Sequence, residues 1–129
     1  MQYEKMVSDL AKPGEDILAT LTPEKAHLWH MATGLATEAG EFLDAVKKYV
    51  IYSKPFDFDH HREELGDCEF YLEGARQGIT RIIEQEFTRD DTLDANITKL
   101  AIGARARYAS GKYSDQQAQE RADKDESQT

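Results

Sequence analysis

Hydrophobic residues recur at helical spacing through most of the chain, and the β-branched residues fall in the same helical registers. Near the N-terminus the spacing of three and four residues predicts a short amphipathic helix that ends at the breaker Lys12-Pro13-Gly14. The apolar positions of this helix are Tyr3, Met6, Val7 and Leu10. No segment predicts a strand, so the pattern favours an all-α fold.

Thr22-Pro23-Glu24 marks the start of a long helix, because Thr is a good N-cap residue and Pro suits the first helical position. An apolar stripe then runs from Trp29 to Val50, and no breaker intervenes before Ser53-Lys54-Pro55. The spacing predicts one helix of about 25–30 residues, which would be about 40 Å long.

A second long helix is predicted after a loop at Asp57-Phe58-Asp59, with Asp59 as its N-cap. It contains Gly66, Gly74 and Gly78, and each glycine costs about 1 kcal/mol in a helix interior. Three glycines in one helix indicate either close approach of a neighbouring backbone or ligand, or tolerated sequence variation. The inward positions of this helix are Leu65, Cys68, Leu72, Ala75, Ile79, Ile82 and Ile83.

A third helix is predicted from Leu93 to about Tyr108, capped by Asp90-Asp91-Thr92. Residues 114–129 are polar, and we expect them to form a mobile or weakly helical tail. The chain shows no internal repeat and no second domain. The sequence therefore predicts one helical domain over residues 1–113, followed by the tail at 114–129.

Composition narrows the possible partners. The chain has 129 residues, with 25 acidic and 16 basic side chains, and its formal charge is −9. This acidity argues against a protein that binds a nucleic acid polymer through a basic surface, and it disfavours an anionic membrane. The apolar runs are too short for a membrane span, the N-terminus lacks a signal-peptide layout, and Cys68 cannot form an internal disulfide. We expect a cytoplasmic protein, which can still bind phosphates if a divalent cation mediates.

Two pairs of carboxylates lie three residues apart on the two long predicted helices. Glu38 and Glu41 belong to the first helix, and Glu64 and Asp67 to the second. Both members of a pair share one helix face at the edge of the apolar stripe, and the two pairs face each other if the helices pack antiparallel. Four converging acids would repel unless they take up protons or bind a hard divalent cation, for which oxygen ligands favour Mg²⁺ or Mn²⁺ over Zn²⁺. Solvated helix faces are the alternative interpretation.

Basic residues supply a second set of candidates. A stripe of cations that faces an acidic metal site would suit a polyphosphate, although a solvated basic face explains the same pattern. Lys47 and Lys48 are either further phosphate ligands or solvated surface lysines. The polar stripe of the third predicted helix comprises Asn96, Lys99, Gly103 and Arg107.

The histidines and the cysteine receive structural interpretations. His60 and His61 are expected on the surface at the start of the second long helix. A di-iron bundle needs two Glu-x-x-His pairs, whereas the chain has one, Glu24-Lys25-Ala26-His27. His27 and His30 are expected at the edge of the core. Cys68 is expected to be structural, because no basic residue lies next to it in the sequence.

The acid pairs occur in a recognisable order. Glu38-Ala39-Gly40-Glu41, a gap of 22 residues and Glu64-Leu65-Gly66-Asp67 resemble the ExxE…ExxD signature of the MazG-like, all-α nucleoside triphosphate pyrophosphohydrolases. Asn96-Ile97-Thr98-Lys99-Leu100 and Arg107-Tyr108 resemble the Asn-x-x-Lys-Leu…Arg-Tyr segment of the same family. The resemblance spans roughly residues 28–114.

The resemblance implies a fold, an assembly and a reaction. The family is usually dimeric or tetrameric, with a four-helix core completed across protomers, so we expect long antiparallel helices in a homodimer or homotetramer. It cleaves nucleotides between the α- and β-phosphates to a monophosphate and pyrophosphate. We therefore expect an NTP or dNTP as the substrate; the alternatives are a non-catalytic nucleotide- or metal-binding module, or a relative that acts on dUTP or a phosphoribosyl nucleotide.

The resemblance also implies roles for individual residues. Asn96 and Lys99 would lie near the nucleotide, with Arg107 and Lys47 as further substrate-binding candidates. Mg²⁺ would be the cofactor, with Mn²⁺ as a substitute. Independently of the family, one carboxylate of the first pair is the expected general base. The implied metal ligands are Glu38, Glu41, Glu64 and Asp67.

Overall fold

The described part of the chain, residues 2–124 of a computed structural model, consists of helices and connections without a β-strand. The all-α prediction is therefore confirmed. No helix in this part is long and apolar enough to cross a bilayer. In chain order the helices are α1 (Tyr3–Leu10), α2 (Gly14–Thr20), α3 (Pro23–Val50), α4 (Phe58–Ile83), α5 (Arg89–Ala101) and α6 (Asp115–Glu120), followed by a 3₁₀ turn at Ala122–Lys124.

The chain divides into two compact units, one that ends at Glu84 and one that begins at Gln85. The first unit contains α1 to α4, and the second contains α5 and α6. The sequence predicts a different kind of division, between a helical domain over residues 1–113 and a polar tail that begins at residue 114. Helix α6 lies inside the predicted tail, where the Ser114 hydroxyl caps it by accepting a hydrogen bond from the Gln117 N–H. Residues 125–129 of that tail lie outside the described residues.

Local capping explains where the first-unit helices begin. The predicted start of α3 is confirmed, because the Thr22 hydroxyl accepts a hydrogen bond from the Lys25 N–H and Pro23 occupies the first position. Helix α1 is also confirmed, whereas α2 was not predicted. The N-cap of α4 is Asp57, whose carboxylate accepts a hydrogen bond from the His60 N–H at 3.0 Å. The prediction of Asp59 was wrong by two residues.

Helix α5 is shorter than its sequence pattern predicts. Its N-cap is Thr88, which forms a reciprocal capping box with Asp91. The helix ends at Ala101 instead of near Tyr108. Shortly afterwards Gly103 adopts φ of +89°, a left-handed conformation that α-helix does not contain. The predicted stripe that continued to Arg107 is therefore wrong beyond Ala101.

Helices α3 and α4 pack antiparallel through glycines. At each of three glycines, a side chain from the facing helix occupies the space that a Cβ atom would need. Close approach is confirmed at two of the three glycines singled out in the second long helix, but Gly66 faces open space. The pairs are Gly34 with the Tyr71 ring, Gly74 with Met31, and Gly78 with His27. Their order along the chain defines the antiparallel register.

This hairpin buries one narrow seam. Met31 and Ala45 are the buried apolar side chains on α3, whereas Trp29 and Leu43 are 66% and 67% exposed. On α4, Leu65 and Phe70 are also exposed. The prediction that the whole apolar stripe faces inward is wrong within a single chain, because two helices can cover only the side chains between them.

The close contact at Gly34 generates a prediction. Gly34→Ala should lower the free energy of unfolding by about 1–3 kcal/mol, because the new methyl group requires the Tyr71 ring to move. Gly40→Ala is the matched control: nothing lies within 4 Å of its Cβ position, so it should stabilise α3 by about 0.5–1 kcal/mol. Urea unfolding measures both. Equal effects from the two substitutions would contradict the packing described here.

Candidate metal centre

Three carboxylates from α3 and α4 converge within the first unit. One oxygen each of Glu38, Glu64 and Asp67 lies within 4.8 Å of the others. Glu64 is buried, Glu38 is half-buried and Asp67 is exposed, so the group lies at the edge of the helix seam with one side open to solvent. We refer to these three residues as the carboxylate cluster. The antiparallel register brings it together, since Glu38 and the other two acids lie on different helices.

The carboxylate cluster is electrostatically strained. Burial raises the pKa of Glu38, and the negative charges of Asp67, Glu64 and Glu41 raise it further. A proton on Glu38 or a bound cation would relieve this repulsion. Three carboxylate oxygens at this separation form the donor set that hard cations such as Mg²⁺ and Mn²⁺ prefer, with the other coordination positions left for water or phosphate.

Glu41 lies outside the group of converging oxygens. It is exposed, although its charge still acts on Glu38 and on the Lys48 ammonium. The structure therefore brings together three of the four carboxylates that the sequence singled out, and it places the fourth on the same face of α3 at the solvent side. A spacing of three residues fixes a shared face, but it does not determine which oxygens meet across the helix pair.

Cys68 is half-buried beside the cluster. Burial raises the pKa of its thiol, and the charges of Glu38, Glu64 and Asp67 act in the same direction. This environment stabilises the neutral thiol, which is the opposite of what a nucleophilic cysteine needs. The local setting of Cys68 is therefore that of a structural residue.

Of the two histidines at the start of α4, one is buried and the other is partly exposed. His61 is buried at 8% exposure, so the prediction of a surface position was wrong; its Nδ1–H donates to the Asp57 carbonyl at 2.7 Å. His60 is partly exposed, and its Nδ1 lies 3.5 Å from Glu64 Oε1. Sequence reasoning missed this link to the carboxylate cluster. The i, i+4 spacing of His60 and Glu64 was the signal that could have found it.

Lys47 forms contacts near the end of α3. Its ammonium lies 3.5 Å from an Asp44 carboxylate oxygen and 5.5 Å from the centre of the Tyr52 ring. Lys48 contacts the same carboxylate at 2.8 Å. These contacts lower the pKa of Asp44, mainly through the hydrogen bond from Lys48. Part of the basic charge on this face is thus already neutralised by Asp44.

The other substrate-binding candidates belong to the second unit. Asn96 and Lys99 are exposed on α5. Arg107 lies beyond the end of α5, and its guanidinium forms two hydrogen bonds to Asp123, at 2.8 and 3.0 Å. This pair lowers the pKa of Asp123 to about 2. The expectation that Arg107 extends the polar stripe of Asn96 and Lys99 is therefore corrected, because its charge is satisfied locally.

Comparisons with known proteins add no assignment. No protein-family model matches the chain, and no curated protein or solved structure matches it. The MazG-like resemblance stays a prediction that depends on the motif residues. The geometry of the carboxylate cluster is the independent observation on which a functional proposal can be based.

The raised pKa of Glu38 generates a prediction about stability and pH. At neutral pH the ionised carboxylate destabilises the metal-free fold, so Glu38→Gln should raise its melting temperature. The advantage should shrink as the pH falls through the raised pKa and disappear below about 4.5, where the carboxyl is protonated in both the folded and unfolded states. Thermal unfolding in a chelating buffer measures this effect.

Glu63→Gln is the control for this measurement, because Glu63 is an exposed acid next to Glu64 and lies outside the cluster. This substitution should leave the melting temperature nearly unchanged, both at neutral pH and below the pH of about 4.5 at which Glu38 is protonated. The electrostatic description of the cluster would be contradicted if Glu38→Gln lowered the melting temperature at neutral pH.

Proposed function

We propose that the protein is a Mg²⁺-dependent nucleotide pyrophosphohydrolase, with Glu38, Glu64 and Asp67 as its metal ligands and Mn²⁺ as a substitute ion. The observation that carries the proposal is the convergence of three carboxylate oxygens from two helices within 4.8 Å. The ExxE…ExxD order, with its MazG-like resemblance, supports the choice of reaction. The substrate would be an NTP or dNTP, cleaved between the α- and β-phosphates to a monophosphate and pyrophosphate.

The chemistry would be hydrolysis at a phosphorus atom. When bound, the cation polarises phosphoryl oxygens and lowers the pKa of a coordinated water. Glu38, Glu64 and Asp67 would hold the ion at the solvent-open edge of the seam. Glu41 is the better candidate for the general base, because Glu38 would use its lone pairs on the cation whereas Glu41 lies outside the group of converging oxygens.

The remaining substrate contacts rest on sequence. Asn96 and Lys99 stay predicted nucleotide ligands on the basis of the family resemblance, and both side chains are exposed on α5. Arg107 is not included, since Asp123 occupies its guanidinium. Lys47 lies 3.5 Å from the Asp44 carboxylate, which neutralises part of its charge, but its ammonium has three donors and can still bind a phosphate oxygen.

The test of the proposed reaction is a product assay. Purified protein with Mg²⁺ and each NTP or dNTP should release monophosphate and pyrophosphate in equal amounts, separated by ion-exchange chromatography. Glu38→Gln should lower kcat by about 100-fold or more, because loss of one ligand weakens the hold on the ion. Glu63→Gln, which changes a neighbouring exposed acid outside the cluster, should retain full activity.

Three outcomes would contradict the proposal or its site. Release of orthophosphate in place of pyrophosphate would place cleavage at a different bond. Binding of Mg²⁺ and a non-hydrolysable nucleotide in calorimetry, without product from any nucleotide, would favour a non-catalytic binding module. Equal activity of Glu38→Gln and the parent protein would remove the site assignment.

The functional form would be a homodimer or homotetramer. The hairpin of α3 and α4 leaves large apolar side chains on its surface, and two of them, Trp29 and Leu43, are about two-thirds exposed. An exposed apolar face of this kind is a common mark of a protein interface. A second copy that packs against it would complete a four-helix core.

Oligomerisation has a direct measurement. Size-exclusion chromatography with multi-angle light scattering should give a mass that is two or four times 14.7 kDa, the mass of one chain. Dilution should leave this mass unchanged down to micromolar concentration if the interface buries a continuous core. A mass of 14.7 kDa at all concentrations would contradict the assembly.

A further inference from the structure

A cavity lies within the first unit, between the end of α3, the connection that follows it and the start of α4. Its volume is about 310 Å³. It adjoins the carboxylate cluster through His60, which lines the cavity and contacts Glu64 at 3.5 Å. Its polar lining consists of Lys48, Tyr49, Lys54, Asp57, His60 and His61. We call it the turn cavity.

His61 gives the turn cavity an unmet hydrogen-bonding requirement. The residue is 92% buried, and its Nδ1–H is used by the Asp57 carbonyl. Its Nε2 is buried and has no hydrogen-bond partner in the described part of the chain. The centre of the Phe56 ring lies 4.5 Å from the centre of the imidazole, and the centre of the Phe42 ring lies 6.1 Å from it, so two aromatic side chains border His61. A buried nitrogen of this kind costs about 1–3 kcal/mol unless a ligand or water satisfies it.

Two lysines supply positive charge to the same space. Lys54 forms no ion pair or side-chain hydrogen bond with any described residue. Lys48 contacts Asp44 at 2.8 Å, and this hydrogen bond raises the pKa of Lys48 and keeps it charged. Asp57 is the acid of the lining, and one of its carboxylate oxygens already accepts the His60 N–H. The cavity therefore has an unpaired ammonium in its lining, and the imidazole of another lining residue, His61, carries a buried nitrogen without a partner.

These residues do not form a second metal site. Within residues 2–124, the carboxylate cluster is the group in which three or more ligating atoms converge, and it includes neither histidine. A cation would also be repelled by the ammoniums of Lys48 and Lys54. A tetrahedral oxyanion fits better, because it can accept from ammonium groups and can also donate through a P–OH group to a bare imidazole nitrogen.

We infer that the turn cavity is a phosphoryl-binding site in which the Lys48 and Lys54 ammoniums hold the phosphate oxygens. The His61 imidazole, which lines the same cavity, then shifts so that its buried Nε2 accepts a P–OH group. The phosphoryl group can come from free phosphate or pyrophosphate, or from a nucleotide held at the neighbouring carboxylate cluster. The second source rests on the proposed function, whereas the first is independent of it. Metal on one side and cationic side chains on the other is the arrangement that a polyphosphate requires.

The experiment is a titration of the parent protein followed through the histidine ring nitrogens by ¹H–¹⁵N NMR. Inorganic phosphate and pyrophosphate are added without Mg²⁺, and sodium chloride at equal ionic strength is the blank. The His61 Nε2 resonance should shift and saturate with phosphate or pyrophosphate, and it should not move with chloride. A second arm adds a non-hydrolysable nucleoside triphosphate with Mg²⁺; a shift in this arm alone identifies the nucleotide as the source.

Three variants assign the shift to the turn cavity. Lys54→Gln should weaken binding about threefold, as expected for an exposed charge. His61→Asn should weaken it about tenfold, because the Asn amide keeps the donor to the Asp57 carbonyl and removes the Nε2 position. Binding to this variant is followed through the ring nitrogens of His60, which also lines the cavity. Lys12→Gln, which makes the same charge change at an exposed lysine that does not line the cavity, should bind like the parent.

The inference is overturned if neither phosphate, pyrophosphate nor nucleotide moves the His61 resonance. It is also overturned if Lys54→Gln and His61→Asn bind as tightly as Lys12→Gln. Its failure is distinguishable from failure of the proposed reaction. Saturable phosphate binding without any nucleotide turnover would support phosphoryl binding in the turn cavity and contradict the proposed reaction. Nucleotide turnover without a shift of the His61 resonance would support the reaction and contradict phosphoryl binding in the cavity.

Discussion

The close antiparallel approach of α3 and α4 is the constraint on which the rest of the first unit depends. It requires glycine at Gly34, Gly74 and Gly78, because a side chain from the facing helix already fills the space of each missing Cβ. Larger residues would separate the helices or shift their register. Since the register brings Glu38 opposite Glu64, the site and the packing share one cause.

Packing of this kind brings like charges together at the edge of the seam. Burial raises the pKa of Glu38, and the charges of the neighbouring acids raise it further, so an ionised Glu38 opposes folding. Such an arrangement is typical of a place where a cation or a proton completes the structure. The turn cavity has the complementary character, with lysines and an unsatisfied imidazole nitrogen. His60 links the two, so acidic and basic surroundings lie side by side at one end of the hairpin.

Much of the fold could be predicted wherever neighbours in sequence control the outcome. Thr22 and Pro23 start α3 through local hydrogen bonding and a fixed backbone angle, and the uninterrupted stripe gives the helix its length. Local rules also fail when two residues offer the same chemistry. Asp57 and Asp59 can both cap a helix, and the sequence alone does not say which carboxylate reaches the first-turn N–H groups.

The sequence by itself determined the helical class, the two long helices and the placement of an acid pair on each, because these depend on spacing along a single helix. Only the tertiary structure decided that Glu38 meets Glu64 and Asp67 while Glu41 stays outside, since contacts across helices depend on register. It also decided that His61 is buried and that Arg107 forms an ion pair with Asp123, which lies 16 residues away along the chain. Distance in sequence carries no information about such pairings, because folding alone brings the partners together.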